Sequence, residues 1–309
     1  MAPLPSEPDY DFCSIYSSQE AREPLHATAT RADLWMSLEY TGRWGARAFG
    51  ESDLPASVKE HVGAFQETTS NTRIQFISRG GSYRPDPIHF YVSVARLPRP
   101  RLYAFELQAY EDLLDLDLDA ICADDDAYGE YLSDEKLFFI CNNGLRDACC
   151  AKFGIPVHGA MEEEGGVHVW KCTHIGGHRL APNLLFLPHA LSYGRVAPED
   201  AAELVQSYLD ERVLLRRFRG RTVYDRPLQA ADHFVRQETG DMGIDAFHPL
   251  SVEQEHDRWQ VTMADNDDVR HHLVIEARRH EVPVYKTCFS DEPSPVEHFY
   301  LLEHTVGQE

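Results

Sequence analysis

Two short stretches carry most of the information in this chain, FFICNNGLRDACCAKFG (residues 138–154) and WKCTHIGGHRLAPN (residues 170–183). The first places Cys141, Cys149 and Cys150 close together, and the second separates His174 from His178 by three residues. Each stretch begins inside an apolar run that is typical of a buried strand. Loops that follow buried strands hold functional side chains on a fixed backbone. The two stretches therefore predict one shared site at the end of a sheet.

Apolar alternation on either side of these stretches predicts the same order of elements twice, namely strand, helix, three strands and helix. The predicted strands are 34–40, 73–78, 89–95 and 102–107 in the first unit, and 137–141, 167–172, 183–187 and 191–196 in the second. Helices are predicted over 57–66, from about 110, over 198–213 and over 227–236. Further strands are predicted at 257–263, 269–277 and 282–288, and the first dozen residues are expected to form an extended arm.

The repeated order suggests a degenerate internal duplication. Aligning the glycines of the two halves brings LEYTGRWGARAFG over FICNNGLRDACCA and ISRGGSYR over THIGGHRL. In that alignment the first copy has Glu39, Ala48, Ser78 and Ser82 where the second has Cys141, Cys150, His174 and His178. The N-terminal copy is therefore expected to lack the site.

The composition is that of a soluble globular protein. No run approaches the about 18 apolar residues that a membrane span requires, and the N-terminus lacks the pattern of a secretory signal. We therefore expect a cytoplasmic protein, in which seven irregularly spaced cysteines do not suggest a disulfide framework. A formal net charge of -22 argues against a nucleic-acid binder. The acidity either favours partners with basic contact surfaces or only keeps the protein soluble.

Two cysteines and two histidines on two loops suit either a tetrahedral zinc ion or an iron-sulfur cluster with mixed ligation. Zinc fingers place about two to four residues between cysteines, so the eight between Cys141 and Cys150 fit poorly, whereas His-x3-His fits well. The chemistry alone slightly favours the cluster. Adjacent helical residues point about 100° apart, so only one of Cys149 and Cys150 faces the loop, and the spacing leaves open which one.

Together with GRTVYDRPLQAAD (residues 220–232), the two stretches resemble the sucrase/ferredoxin-like family, whose members are thioredoxin-like [2Fe-2S] ferredoxins with two Cys and two His ligands. The specific core is a Cys-x8-Cys loop containing Gly-x-Arg-Asp and a His-x-Gly-Gly-His-Arg loop. By position, the resemblance implies the ligands Cys141, Cys150, His174 and His178. It places Cys149 and Cys172 at non-ligand positions. Asn143 stands where relatives often have His, which leaves the role of that position open.

The resemblance implies a thioredoxin-like ferredoxin fold in the α/β class, with two degenerate thioredoxin-like units and a small C-terminal α/β extension. The expected bounds are 1–125 for a unit without a cluster, 130–215 for the [2Fe-2S] domain and 216–309 for the extension. The expected function is transfer of single electrons between a reductase and an unknown acceptor. Histidine ligation predicts a relatively high, pH-dependent potential. The alternative is a zinc-stabilised binding module without redox activity.

Several neighbouring residues have expected roles of their own. Asp147 is predicted to cap the following helix, and Arg146 and Arg179 either direct a partner or form ordinary surface pairs. Trp170 is expected in the core. The basic cluster RRFRGR, residues 216–221, is expected to pair mainly with carboxylates of the chain itself.

Overall fold

Two sheets and six helices make up the computed structural model, which describes residues 12–80, 85–96, 99–164 and 168–307. The strands are β1 (Leu34–Glu39), β2 (Thr72–Ser78), β3 (Ile88–Val94), β4 (Arg101–Leu107), β5 (Leu137–Cys141), β6 (His168–Cys172), β7 (Leu184–Leu187), β8 (Leu191–Tyr193), β9 (Phe218–Arg221), β10 (Phe247–Glu255), β11 (Arg258–Asp265), β12 (Arg270–Arg279) and β13 (Glu297–Gly307). The helices are α1 (Cys13–Ile15), α2 (Ala56–Thr68), α3 (Leu118–Cys122), α4 (Ala148–Glu163), α5 (Ala201–Leu209) and α6 (Arg226–Thr239). The expected arm at residues 1–11 and Ser82 lie outside the described residues.

The larger sheet has nine strands in the order β4-β3-β1-β2-β6-β5-β7-β8-β9. In the first half β1 is parallel to β2 and antiparallel to β3, which is antiparallel to β4. The second half repeats these directions, with β5 parallel to β6, β5 antiparallel to β7 and β7 antiparallel to β8. A helix connects the two parallel strands in each half, as such a crossover requires. This is the thioredoxin-like arrangement, and the predicted fold class is confirmed.

Strand β5 is buried on both faces of the sheet. Phe138 and Ile140 pack into one hydrophobic core, while Leu137, Phe139 and Cys141 face the other. The run LFFIC has no polar position because neither face meets water, which is typical of a central strand. Cys141 therefore ends a rigid strand.

The two halves meet edge to edge through a short antiparallel pairing of β2 with β6. Only two residue pairs form it, one of them Ile77 with Cys172. Thr173 extends the joint, because its hydroxyl accepts the backbone N–H of Phe76 at 3.0 Å and donates to Oε1 of Gln75 at 2.8 Å. The residue that precedes His174 is therefore fixed by the N-terminal half.

The C-terminal part adds β9 to the edge of the nine-stranded sheet and then forms a four-stranded antiparallel sheet, β10-β11-β12-β13. Helix α6 packs against β9 and the second sheet. The predicted strand at 282–288 is wrong, because the described residues there form only an isolated bridge between Val284 and Ser294. Strands β10 and β13 were missed. The residue bounds of the predicted domains stay a prediction. None of the helices in the described part is long and apolar enough to cross a membrane.

Candidate metal centre

Cys141 and Cys150 are brought together by the close packing of α4 against the end of β5. A Cβ on Gly154 would lie 2.3 Å from the carbonyl oxygen of Cys141, so only glycine permits this approach. The helix begins at a cap formed by Asp147, whose Oδ1 accepts the backbone N–H of Cys149 at 3.0 Å. This confirms the predicted capping role of Asp147. Cys150 then faces Cys141 from the first turn of α4.

His174 completes a group of three donors. Its Nδ1 lies 3.9 Å from Sγ of Cys141 and 3.7 Å from Sγ of Cys150, and the three atoms lie within 4.8 Å of one another. Both thiols are buried. The hydrogen bond from the Cys150 thiol, helped by His174, holds the pKa of Cys141 well below its usual value despite burial. The group could therefore hold a metal ion through two sulfurs and one imidazole nitrogen.

His178 lies against this group. Its ring stacks on the ring of His174 with centroids 4.8 Å apart. Its Nδ1 is buried and has no hydrogen-bond partner among the described residues, while Nε2 lies 3.9 Å from Oδ2 of Asp147. Burial, reinforced by His174, lowers the pKa of His178 to about 4, so the ring is neutral at physiological pH. A buried neutral imidazole with an unused nitrogen fits a metal ligand, since buried polar atoms otherwise find partners.

The loop between the two histidines needs both of its glycines. Gly176 and Gly177 have φ values of 100° and 75°, where side chains are strained. A Cβ would meet Thr30 Oγ1 at 2.0 Å in the first case and the Arg219 guanidinium at 2.5 Å in the second. The turn therefore lets His174 and His178 face the same side while the loop packs tightly against its neighbours.

Arg219 is a positioning residue that the sequence analysis missed. It is 1% exposed and donates to the carbonyl of Gly176 at 3.1 Å and to Oδ1 of Asn183 at 2.8 Å. Asn183 in turn donates to the carbonyl of Gly177 at 2.8 Å. The histidine loop is thus held in place by hydrogen bonds from a buried guanidinium on β9. Elsewhere in RRFRGR the expectation is confirmed, because Arg216 and Arg217 pair with Asp200.

Three other residues from the sequence analysis, Asn143, Cys172 and Trp170, are buried and help to hold the fold together. Asn143 is buried and donates to the carbonyl of Gly45 at 3.1 Å, which ties the cysteine loop to the N-terminal half. Cys172 is fully buried in the core beside Cys141 and lies outside the group of donors. Trp170 is also in that core, as expected. The assignment of Cys141, Cys150, His174 and His178 as ligands stays a prediction.

Cys149 points away from the candidate ligands. Its Sγ lies 3.6 Å from Sγ of Cys13 and 3.1 Å from Sγ of Cys288. Hydrogen bonds from the Cys13 and Cys288 thiols outweigh burial and lower the pKa of Cys149 to about 4. The structure therefore separates the two neighbouring cysteines, with Cys150 facing Cys141 and Cys149 facing two distant thiols.

A buried ion pair anchors the chain immediately after His178. Arg179 donates from Nε and Nη2 to the carboxylate of Glu23, at distances of 2.7–3.0 Å. Ser17 donates to the same carboxylate at 2.7 Å, and Nε2 of His298 lies 3.3 Å from it. Burial alone would raise the pKa of Glu23, but the nearby His298 ring and the bonds from Arg179 bring it to about 2. Glu23 therefore connects the N-terminal segment, the histidine loop and β13.

A basic cleft of about 390 Å³ opens between the two halves next to His174. Its lining includes Arg47, Arg73 and Arg146. Within the described ranges, none of the three guanidinium groups lies within ion-pair distance of a carboxylate. Burial and the charge of Arg146 lower the pKa of Arg73. The surface beside the candidate centre is therefore positive although the chain is strongly acidic.

Comparisons with known proteins show what the chain is similar to. The sequence model of the sucrase/ferredoxin-like family matches residues 25–220. Altered inheritance of mitochondria protein 32 of Meyerozyma guilliermondii is 30% identical over 97 residues, or 28% of this chain and 34% of that protein. Its namesake in Candida glabrata is 27% identical over 112 residues, or 31% and 36% of the two chains. This chain thus spans about a third of the length of the curated relatives it matches.

Two solved structures are also similar to a part of the chain. They are crystal structures of cysteine-to-serine variants of the thioredoxin-like [2Fe-2S] ferredoxin from Aquifex aeolicus. The identities are 19% and 20%, and the TM-scores are 0.24 and 0.25. Each match covers 27% of this chain and 96% of the ferredoxin chain.

Proposed function

This chain belongs to the sucrase/ferredoxin-like family, and we propose that it is a one-electron carrier whose [2Fe-2S] cluster is held by Cys141, Cys150, His174 and His178. The observation that carries the proposal is the convergence of two buried thiols with Nδ1 of His174, next to the buried, unpartnered Nδ1 of His178. When bound, such a cluster accepts and releases one electron at a time. We regard the protein as an electron carrier rather than as a stand-alone enzyme.

The surroundings of the four residues favour a relatively high potential. Two neutral imidazoles in place of two thiolates remove two negative charges from the site, which makes reduction easier. Rieske centres show the direction, at about -150 to +300 mV against about -400 mV for plant-type clusters. The proposal therefore includes a potential well above that of an all-cysteine ferredoxin.

The potential is also proposed to depend on pH. Nε2 of His178 faces Asp147 and is the ring nitrogen left for a proton when Nδ1 is a ligand. Reduction adds negative charge and raises the pKa of a ligating imidazole. Between the oxidised and reduced pKa values, the midpoint is expected to fall by about 59 mV per pH unit for one proton. Potentiometric titration from pH 5 to 10 measures this slope, and a flat profile would contradict proton coupling.

Visible absorption and EPR spectra of anaerobically purified protein, before and after dithionite, test the proposed cofactor. We expect a red-brown protein that gives a rhombic S = 1/2 signal on reduction, with an average g below 2. A colourless, EPR-silent protein with zinc at these residues would overturn the proposal. It would then support the alternative of a zinc-stabilised binding module, since the same four donors suit tetrahedral zinc.

The proposed partners are a reductase and an acceptor. The net charge of -22 predicted partners with basic surfaces, but the cleft beside His174 carries arginines. We therefore propose that a partner docking at this cleft presents acidic residues there, because complementary charge steers association.

Small oxidants of opposite charge measure this local field. At low ionic strength, the double variant Arg47→Gln/Arg146→Gln is expected to slow oxidation of the reduced protein by ferricyanide roughly tenfold. The same variant should speed oxidation by a cationic cobalt(III) phenanthroline complex. Arg270→Gln/Arg279→Gln, a pair of exposed changes on β12 in the second sheet, serves as the charge-matched control. Equal rate changes with both oxidants would indicate an altered potential instead of steering, and unchanged rates would contradict the basic docking face.

The proposed compartment is the cytoplasm. All seven cysteines are free thiols in the structure, including the close group of Cys13, Cys149 and Cys288. Free thiols at such short distances are consistent with a reducing environment, which the cytoplasm provides.

A further inference from the structure

A second group of metal-ligand side chains lies at the start of α4, separate from the group of Cys141, Cys150 and His174. Cys13 comes from α1, Cys149 from the first turn of α4 and Cys288 from the loop between β12 and β13. The Sγ atom of Cys13 is 3.6 Å from those of Cys149 and Cys288, which are 3.1 Å apart. A carboxylate oxygen of Asp147 lies within 4.8 Å of all three. The fold thus brings three thiols together, although Cys13 and Cys288 are 275 residues apart in sequence.

We propose that this group is a zinc site, with three thiolates from Cys13, Cys149 and Cys288 and a carboxylate oxygen from Asp147 as the fourth ligand. Zinc binds thiolate sulfur at about 2.3 Å in a tetrahedral site, which separates the sulfurs by about 3.8 Å. The observed separations are close to this value, so small side-chain adjustments complete the site. Soft thiolate ligands with one oxygen favour zinc over the hard cations calcium and magnesium.

The hydrogen bonds around the group favour sulfurs that act as acceptors. The Ser14 hydroxyl donates to Sγ of Cys149 at 3.2 Å, and the backbone N–H of Cys13 points to Sγ of Cys288 at 3.5 Å. Asp147 is fixed on both sides, because Oδ1 accepts the N–H of Cys149 and Oδ2 accepts that of Cys288 at 2.9 Å. Such outer contacts orient metal ligands in proteins. The N-terminus of α4 also offsets part of the negative charge.

The zinc site shares no donor with the proposed cluster. Cys149 and Cys150 are neighbours on a helix and point about 100° apart, so each serves a different centre. The zinc ion would fasten the loop that carries Cys288 to the start of α4. This loop contains no helix or strand among its described residues, and its backbone bonds include the bridge of Val284 with Ser294 and the bond from His280 to Val296. The inferred site therefore joins the C-terminal extension to the cluster-bearing half.

Metal analysis of the full chain tests the inference. The protein is purified anaerobically with a reductant from zinc-supplemented cells, and zinc and iron are measured together. We expect one zinc ion per chain in the wild type and at least about a tenfold loss of zinc in Cys13→Ser and Cys288→Ser. Iron and the visible spectrum should remain unchanged in both variants, which also shows that they fold. Cys122→Ser, a free thiol outside both groups, is the matched control and should keep the zinc.

Zinc-edge X-ray absorption of the wild-type protein identifies the ligands without any substitution. Three sulfurs at about 2.3 Å and one oxygen at about 2.0 Å support the inference. A zinc-free wild type with a Cys149–Cys288 disulfide in mapped peptides would overturn it, as would zinc retained in Cys288→Ser. Zinc with two sulfurs and two nitrogens that is lost in Cys150→Ser would instead mark failure of the proposed cluster. The two hypotheses therefore fail through different results.

Discussion

Cys150→Ala is expected to lose most of its iron and visible colour, whereas the neighbouring Cys149→Ala keeps both. The reason is the opposite orientation of the two side chains: Sγ of Cys150 is 3.7 Å from Nδ1 of His174, while Sγ of Cys149 faces Cys13 and Cys288. Loss of a ligand should reduce cluster occupancy by more than about tenfold, since even outer-shell changes cost that much in metal sites. Iron and acid-labile sulfide per chain are the measured quantities.

Cys172→Ala is the control for this pair. Cys172 is as deeply buried as Cys150, but it lies outside the group of converging donors, so its variant should retain the cluster. Cys149→Ala should also lose the zinc ion of the second site while it retains iron. A colourless Cys149→Ala beside a normal Cys150→Ala would reverse the assignment of the two neighbours.

Glu23→Ala is expected to lower the free energy of unfolding by about 3–5 kcal/mol, because removal of one partner leaves a buried charge without compensation. The carboxylate is fully buried. It accepts hydrogen bonds from Arg179 and Ser17 and lies 3.3 Å from Nε2 of His298. Urea unfolding monitored by tryptophan fluorescence measures the change. Glu203→Ala breaks a solvent-exposed pair with Arg216 and should leave the unfolding midpoint nearly unchanged. Equal effects of the two substitutions would contradict the anchoring role of Glu23.

Acid should remove the same stabilisation in the wild-type protein. The folded pKa of Glu23, about 2, is below its ordinary value. Its contribution is therefore fully present above the ordinary pKa and is lost as pH falls from about 5 towards 2. Glu23→Gln lacks the titrating group, so its stability should fall less over this range. Parallel curves for the two proteins would show that other carboxylates govern the acid response.

The central strands were predictable because burial on both faces leaves only apolar residues, and β5 coincides with the predicted 137–141. Strands β10 and β13 were not, because few of their residues are buried and neither strand shows period-two burial. Their stabilising contacts come from pairing with β11 and β12. The predicted strand at 282–288 was wrong because a buried apolar residue does not by itself mark a strand. Val284 is buried, but it lies in a loop and forms only an isolated bridge.

The candidate site was predictable to the extent that its residues are close in sequence. Cys141, Cys150, His174 and His178 span two adjacent loops, and the family resemblance identified them together. Cys13 and Cys288 approach Cys149 only through the tertiary fold, so no spacing rule could reveal them. Arg219 was equally hidden, because it bonds the carbonyl of Gly176 and the side chain of Asn183, which belong to another segment.

The two halves share a strand order but have different residues at the end of their first strand. Glu39 ends β1 as Cys141 ends β5, which places both at the end of the first strand of their half. The carboxylate of Glu39 accepts both the backbone N–H and Nδ1 of His89, at 3.1 and 2.7 Å. A buried polar pair therefore stands in the N-terminal half where the second half presents its cysteine.

The long sequence separation of Cys13 and Cys288 sets an order of events during synthesis. The four proposed cluster ligands have all been made once residue 178 is added, whereas Cys288 follows 110 residues later (288 minus 178). At translation rates of roughly 5–20 residues per second, this gap lasts roughly 5 to 20 seconds. During that interval the growing chain holds Cys13 and Cys149 without their third thiol. If both proposed centres load during synthesis, the cluster ligands and Arg219, which holds the histidine loop, would all be made before Cys288, so iron and sulfide would enter before zinc.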